Sequence, residues 1–401
     1  METIGSVETA AQSRRPALPT LTGMRFVASG MVFFSHAFFV LLPASWISGT
    51  GPGFWWSAAG STGVSFFFVL SGFVLTWSAR PGTAARAFWR RRLCKIYPTH
   101  LVTALAAVVL MLGFGDAFTA GQLVPNLLLV QSWIPRYDVL TGINQVSWSL
   151  CSELVFYAAF PFLLPLVNRL SARALWWGAA GTVLAVWCLP VVSSLFLDDG
   201  PHLSPRMDYS VTQLWFVYFF PLARAFEFLL GMFVARLVVL GRWLPVGLGP
   251  AAVLFLAGYA GALYAPGQYG TVALTVIPLA LLIPAGAVAD LSGRYSPLRG
   301  RVAVWLGEVS FALYMVHQLV LAYGSRAIGF GMGLSGWQAA GLSLLFLAAC
   351  LPIAWLLHSL IEMPVMRHWS RPREPATVPG PRERGTMPQP ERTTAPSSDT
   401  A

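Results

Sequence analysis

Six ionisable residues lie inside long apolar stretches of this 401-residue chain: Arg25, His36, Glu153, Arg224, Glu227 and His317, with Glu308 near the end of another such stretch. Ionisable groups are costly in a hydrocarbon environment, and those kept there tend to serve a function. Arg25 and His36 are eleven residues apart. In a helix that spacing amounts to about three turns plus 20°, so the two side chains share a face, with the imidazole about 16 Å further along the axis. Such a pair puts a cation at the mouth of a groove and a titratable imidazole at its bottom. It also fits a snorkelling Arg and a packed His, each satisfied by a neighbouring helix. Arg224 and Glu227, three apart, share a helix face and are spaced to pair. No His, Cys, Asp and Glu cluster has metal-ligand spacing, and no Gly-rich phosphate loop is present. Cys94, Cys151, Cys188 and Cys350 are scattered without CxxC or disulfide-like spacing and read as structural thiols.

The elements that must position these residues are membrane spans. Hydrophobic residues make up 56% of the chain and charged residues 10%, and the mean hydropathy is +0.64. A soluble domain carries about 25% charged residues. Apolar runs of about 20 residues recur, each long enough to cross a bilayer core of about 30 Å. The expected fold is an all-α bundle of about ten transmembrane helices, near 22–43, 61–79, 97–115, 145–167, 174–197, 211–235, 243–263, 271–290, 302–324 and 336–359. The first run is too long for the core of a cleavable signal and contains Arg25 and His36. Of the 26 basic residues, 21 fall on the N-terminal side of these spans and three, Arg136, Arg206 and Arg326, on the other. The positive-inside rule therefore places both termini in the cytoplasm, for a multi-pass protein of the cell membrane.

The formal net charge of +10 does not signal nucleic acid, because the basic residues form no single patch. The domain reading is a polar N-terminus over 1–19, a transmembrane domain over 20–369 and a disordered cytoplasmic tail over 370–401. The long connection 116–144, with Pro125, Pro135 and Gly142, is expected to form a re-entrant or interfacial cap. No internal repeat is visible, which counts against a secondary transporter.

Several further blocks accompany the Arg25–His36 spacing. They are Gly63 to Phe73 in the second span, Arg91-Arg92-Leu93-Cys94-Lys95-Ile96-Tyr97-Pro98, Trp148-Ser149-Leu150-Cys151-Ser152-Glu153 with Phe156-Tyr157, Arg224 with Glu227-Phe228 and Gly231, Ser310 to His317, and Ile361-Glu362-Met363-Pro364. In this order, over roughly residues 20–367, the chain resembles the acyltransferase 3 family of integral-membrane O-acyltransferases. It departs from the usual pattern at Ser65, where many members have Asp, at Leu154, where many have a second acid, and at Gln318-Leu319, where many have Trp-Pro. The Ser65 form is similar to an actinobacterial branch that includes acyltransferases of macrolide sugars.

The resemblance implies transfer of an acyl group, acetyl or short-chain, from acyl-CoA as co-substrate to a hydroxyl of a carbohydrate or glycosylated natural product. No bound cofactor is implied. Such chemistry needs a base for the hydroxyl proton and donors for the developing oxyanion. His36 is the expected base. Glu153 would orient its imidazole, or else neutralise Arg25 or Arg224. Arg25, with the cluster of Arg90, Arg91, Arg92 and Lys95, is expected to hold the CoA phosphates. The cluster equally suits anchoring to anionic lipid. Arg224 is a candidate substrate contact or a structural partner of Glu227, and His317 binds acceptor or bonds within the bundle. His100, His202, His358 and His368 are expected to face solvent. A transporter or flippase is the alternative, since it too would bury Arg, His and Glu.

Overall fold

Backbone N–H and C=O groups in hydrocarbon must satisfy each other, so apolar runs of this length fold as helices. The computed structural model describes residues 15–43, 53–80, 82–203, 208–329 and 334–369. Among these residues there are helices and turns but no strand. In chain order the helices are α1 (Pro19–Leu41), α2 (Ala59–Ser78), α3 (Ala85–Phe114), α4 (Ala120–Leu128), α5 (Tyr137–Leu140), α6 (Trp148–Arg169), α7 (Ala172–Phe196), α8 (Val211–Leu214), α9 (Pro221–Val239), α10 (Leu248–Tyr264), α11 (Ala273–Leu291), α12 (Arg301–Ala327), α13 (Gly336–Leu357) and α14 (Met363–Trp369). Among the described residues, eight helical stretches are long and apolar enough to cross a membrane. Two of the ten expected spans fall outside that set. α10 is only 17 residues long, and α9 carries Arg224, Glu227 and Arg236. The expected N-terminal segment and tail fall largely on residues 1–14 and 370–401, outside the described residues.

Three boundaries differ from the hydropathy reading. α3 begins at Ala85, so the basic stretch Arg86 to Lys95 is helical rather than a loop. The sixth span is broken: a π-helical turn (Trp215–Phe219) ends at Phe220, which is extended with ψ 121°, and Pro221 starts α9. Proline drives its predecessor out of helical geometry and is well suited to a first helical position. At the other end of the chain, α13 continues through a π-helical turn (His358–Glu362) into α14.

Glycines set how closely the helices approach. A β-carbon at Gly72 of α2 would overlap the Phe228 carbonyl of α9, and one at Gly231 of α9 would overlap the Val69 carbonyl of α2. The same holds between α1 and α12, where Gly307 lies against the Thr22 carbonyl. Small residues at such crossings let two backbones touch, the usual device for joining helices in lipid.

One end of the bundle collects the start of α1, the end of α2 and the end of α11. There Thr20 donates from N and Oγ1 to Asp290 at 2.8 and 2.7 Å, and Arg15 donates to the Trp77 carbonyl at 3.1 Å. The other end is covered by the 116–147 connection, folded into α4, α5 and short turns. Asn126 and Gln131 both donate to Ser147 Oγ, at 2.9 and 3.0 Å, and Asn144 donates to the Met315 carbonyl of α12 at 3.0 Å. His100 does not face solvent: it is buried beneath this cap, with Nε2 3.0 Å from the Asn126 carbonyl. Arg326 closes the edge by donating to both carboxylate oxygens of Asp116, at 2.5 and 3.1 Å. Those bonds hold the Asp116 carboxyl below its usual range.

Candidate active site

α1 and α12 start at the same end of the bundle and run side by side from the Thr22–Gly307 contact. Further along, they bring His36 and His317 together, with His36 Nδ1 2.9 Å from His317 Nε2. The two rings meet edge to edge and nearly in one plane, with centroids 5.1 Å apart and planes 13° from parallel. His317 is 1% exposed, and its Nδ1 lies 2.7 Å from the Tyr314 carbonyl oxygen. Both of its ring nitrogens are therefore engaged, which leaves neither for an acceptor. Phe33 flanks the pair, 6.1 Å from the His317 ring, while Phe34 and Phe38 of the same helix pack on Trp56 at 5.0 and 5.6 Å.

On the basic side of the pair lies a cavity of about 160 Å³, which neither histidine lines. Arg25, Arg92, Lys95, Glu153, Tyr157 and Ser71 line it toward that end, and Ser149, Phe67 and Tyr314 line its deeper part. Tyr314 separates the cavity from the histidines, its ring 5.7 Å from that of His317. Its hydroxyl donates to the Val146 carbonyl at 3.1 Å and lies 2.9 Å from Ser149 Oγ.

The basic lining is built from α1 and α3, and the π-helical turn at the end of α13 anchors it. Lys95 Nζ lies 2.8 Å from Glu362 Oε1, and His358 Nδ1 lies 3.1 Å from the other oxygen of the same carboxylate. Glu362 is 2% exposed, so this carboxylate is a buried anchor between two helix ends. Arg25 faces the cavity within electrostatic reach of Glu362, Glu153 and Glu308.

The other anticipated residues fall as follows. Arg92 and Lys95, three apart, share the cavity face of α3. Arg91 is turned about 100° from Arg92 and does not line the cavity. Glu153 is not bonded to His36: it accepts a hydrogen bond from Tyr157 Oη at 2.6 Å, within the basic lining. Arg224 is 1% exposed and absent from the cavity wall. It pairs with Glu227 at 3.0 Å, donates to Ser65 Oγ at 3.0 Å, and lies over the rings of Phe68 and Tyr218. Sequence reasoning gave no role to Tyr157, Ser149, Tyr314 or Glu362. All four lay within the blocks that carry the family resemblance, which was the one signal available for them.

The family profile described as acyltransferase domain matches residues 18–359. Acyltransferase MdmB of Streptomyces mycarofaciens is 41% identical over 373 residues, covering 91% of this chain and 95% of that protein. Exopolysaccharide production protein ExoZ of Rhizobium meliloti is 26% identical over 330 residues, covering 80% of this chain and 94% of that protein. Peptidoglycan O-acetyltransferase OatA of Listeria monocytogenes is 24% identical over 392 residues, covering 88% of this chain but 56% of its own length. No solved structure matches the chain. With a helical bundle, polar groups gathered inside it and a family match over nearly the whole chain, the protein belongs to the acyltransferase 3 family and is a multi-pass membrane O-acyltransferase.

Proposed function

We propose that the enzyme moves an acetyl or short-chain acyl group from acyl-CoA, entering from the cytoplasmic side, to a hydroxyl of a carbohydrate or glycosylated natural product such as a macrolide sugar. The observation that carries this reading is the imidazole of His36, on the Arg25 face of α1 and close to a cavity whose wall holds Arg25, Arg92 and Lys95. Guanidinium suits phosphate by bidentate hydrogen bonding, so Arg25 and Arg92 hold the nucleotide end of the donor while Lys95 adds charge. The pantetheine arm then extends about 16 Å toward His36. His36 takes the proton of the acceptor hydroxyl as its oxygen bonds to the acyl carbon. The C–S bond breaks, and the imidazolium returns that proton to the departing thiolate, giving ester and free thiol. Glu153 and Glu362 balance the charge of the basic wall. The names of two relatives, exopolysaccharide production and peptidoglycan O-acetyltransferase, support a carbohydrate acceptor. The Ser65 variant and the identity to a Streptomyces acyltransferase favour a glycosylated natural product.

The test is turnover by purified protein given acetyl-, propionyl- or isovaleryl-CoA and candidate glycosides, followed by product mass. His36→Gln keeps hydrogen bonding but not proton abstraction, and turnover is expected to fall by about 10²–10⁴-fold. A folded His36→Gln protein that keeps more than roughly a tenth of wild-type turnover would reject His36 as the base.

A further inference from the structure

We propose that His317 is a positioning residue that fixes the tautomer of His36 and thereby leaves Nε2 of His36 as the nitrogen that meets the acceptor. This rests on the reading of His36 as the base. The Tyr314 oxygen lies 2.7 Å from His317 Nδ1, and a carbonyl oxygen only accepts, so Nδ1 carries the hydrogen. A neutral imidazole has one N–H, so His317 Nε2 presents a lone pair. That lone pair faces His36 Nδ1 at 2.9 Å, so His36 donates from Nδ1 and its Nε2 is bare. One carbonyl of α12 thus specifies, through two rings, which atom of α1 can take a proton.

The surroundings keep this chain of bonds in register. His317 is 1% exposed, bonded at both ring nitrogens and flanked by Phe33, which leaves its ring little freedom to turn. The Tyr314 hydroxyl is tied to Val146 and Ser149, and the neighbouring Met315 carbonyl accepts from Asn144. The turn of α12 that supplies the carbonyl is therefore held from the cap side. In hydrolase triads a buried carboxylate orients the histidine. A neutral imidazole does the same here without adding a charge to the bundle interior, where charge is costly. Once His36 is protonated, its Nδ1–H bond to His317 becomes charge-assisted and strengthens. The orienting role anticipated for Glu153 is filled by His317.

Two measurements test the assignment. The first is the ¹⁵N spectrum of histidine-labelled wild-type protein, with the His36 signals assigned by their loss in His36→Gln. His36 is expected to be protonated at Nδ1 and bare at Nε2. Protonation at Nε2 overturns the proposal, and this readout needs neither a donor nor a His317 variant. The second is turnover. His317→Leu leaves His36 without an acceptor for Nδ1–H, and kcat is expected to fall by about tenfold to 10³-fold, short of the roughly 10⁴-fold seen when a triad histidine is held in the wrong tautomer. The KM for acyl-CoA should stay within about twofold. His317→Gln offers an amide oxygen for the same N–H and should recover most of the loss. A Leu variant within about threefold of wild type, or a Gln variant no better than Leu, overturns the assignment. If wild-type protein does not turn over acyl-CoA, the donor reading fails while the tautomer is still read directly from the spectrum.

Discussion

Arg25 and Lys95 reach the same cavity from different helices, but only Lys95 has an ion-pair partner in contact, Glu362 at 2.8 Å. The Arg25 fork has no such contact among the described residues and is the better placed of the two to receive a phosphate. Arg25→Lys keeps the charge and loses the bidentate geometry. The expected result is a KM for acyl-CoA raised by about tenfold, the scale of one charge-assisted bond, with a smaller change in kcat. Steady-state kinetics with acyl-CoA varied would check it, and an unchanged KM removes Arg25 from donor binding. Arg25 and His36 were legible in sequence because helical periodicity alone puts them on one face. The His36–His317 bond was not, because its partners are 281 residues apart and only the packing of α1 on α12 joins them. The partner of Glu153 was left open for the same reason: its depth in the bundle could be inferred, but not which neighbour its carboxylate would meet.

At the scale of elements, the distance between α1 and α12 decides whether the histidine pair exists. Gly307 sets that distance by letting the Thr22 carbonyl lie against the α12 backbone. Gly307→Ala must push the two helices apart or strain them, at a cost of about 1–3 kcal/mol for overpacking. Both a lower melting temperature in detergent and a lower kcat are expected. Gly181→Ala in α7 meets nothing within 4 Å and serves as the control, with turnover unchanged. A Gly307→Ala protein with wild-type kcat would separate the crossing from the chemistry. The spans themselves were readable because long apolar runs in lipid have few other folds. Their ends were less so. Hydropathy does not register a helix that continues into polar sequence, as α3 does from Ala85 and α13 does through Glu362 into α14. The break before α9 was marked in the sequence by Pro221, inside what otherwise read as one span.

For the whole molecule, the uneven distribution of basic residues sets the orientation. With the four native cysteines replaced, Ala85→Cys and Pro297→Cys should resist a membrane-impermeant thiol reagent applied from outside. Tyr264→Cys, at a 71% exposed position on the opposite end, should react. External labelling at 85 or 297 would invert the bundle and put the basic cavity on the wrong side for a cytosolic donor. Lys95 is the only lysine in the chain, and its side chain, 29% exposed, is held by Glu362 at the basic end of the cavity. Apart from the terminal amine, an amine-directed reagent therefore has one site to modify. The amine is only partly accessible and engaged by Glu362, so labelling of the wild-type enzyme should be slow and should slow further when CoA is bound. Glu362→Gln should speed it. The rate of a single covalent modification, read by mass spectrometry on unengineered protein, thus becomes an occupancy meter for the donor site.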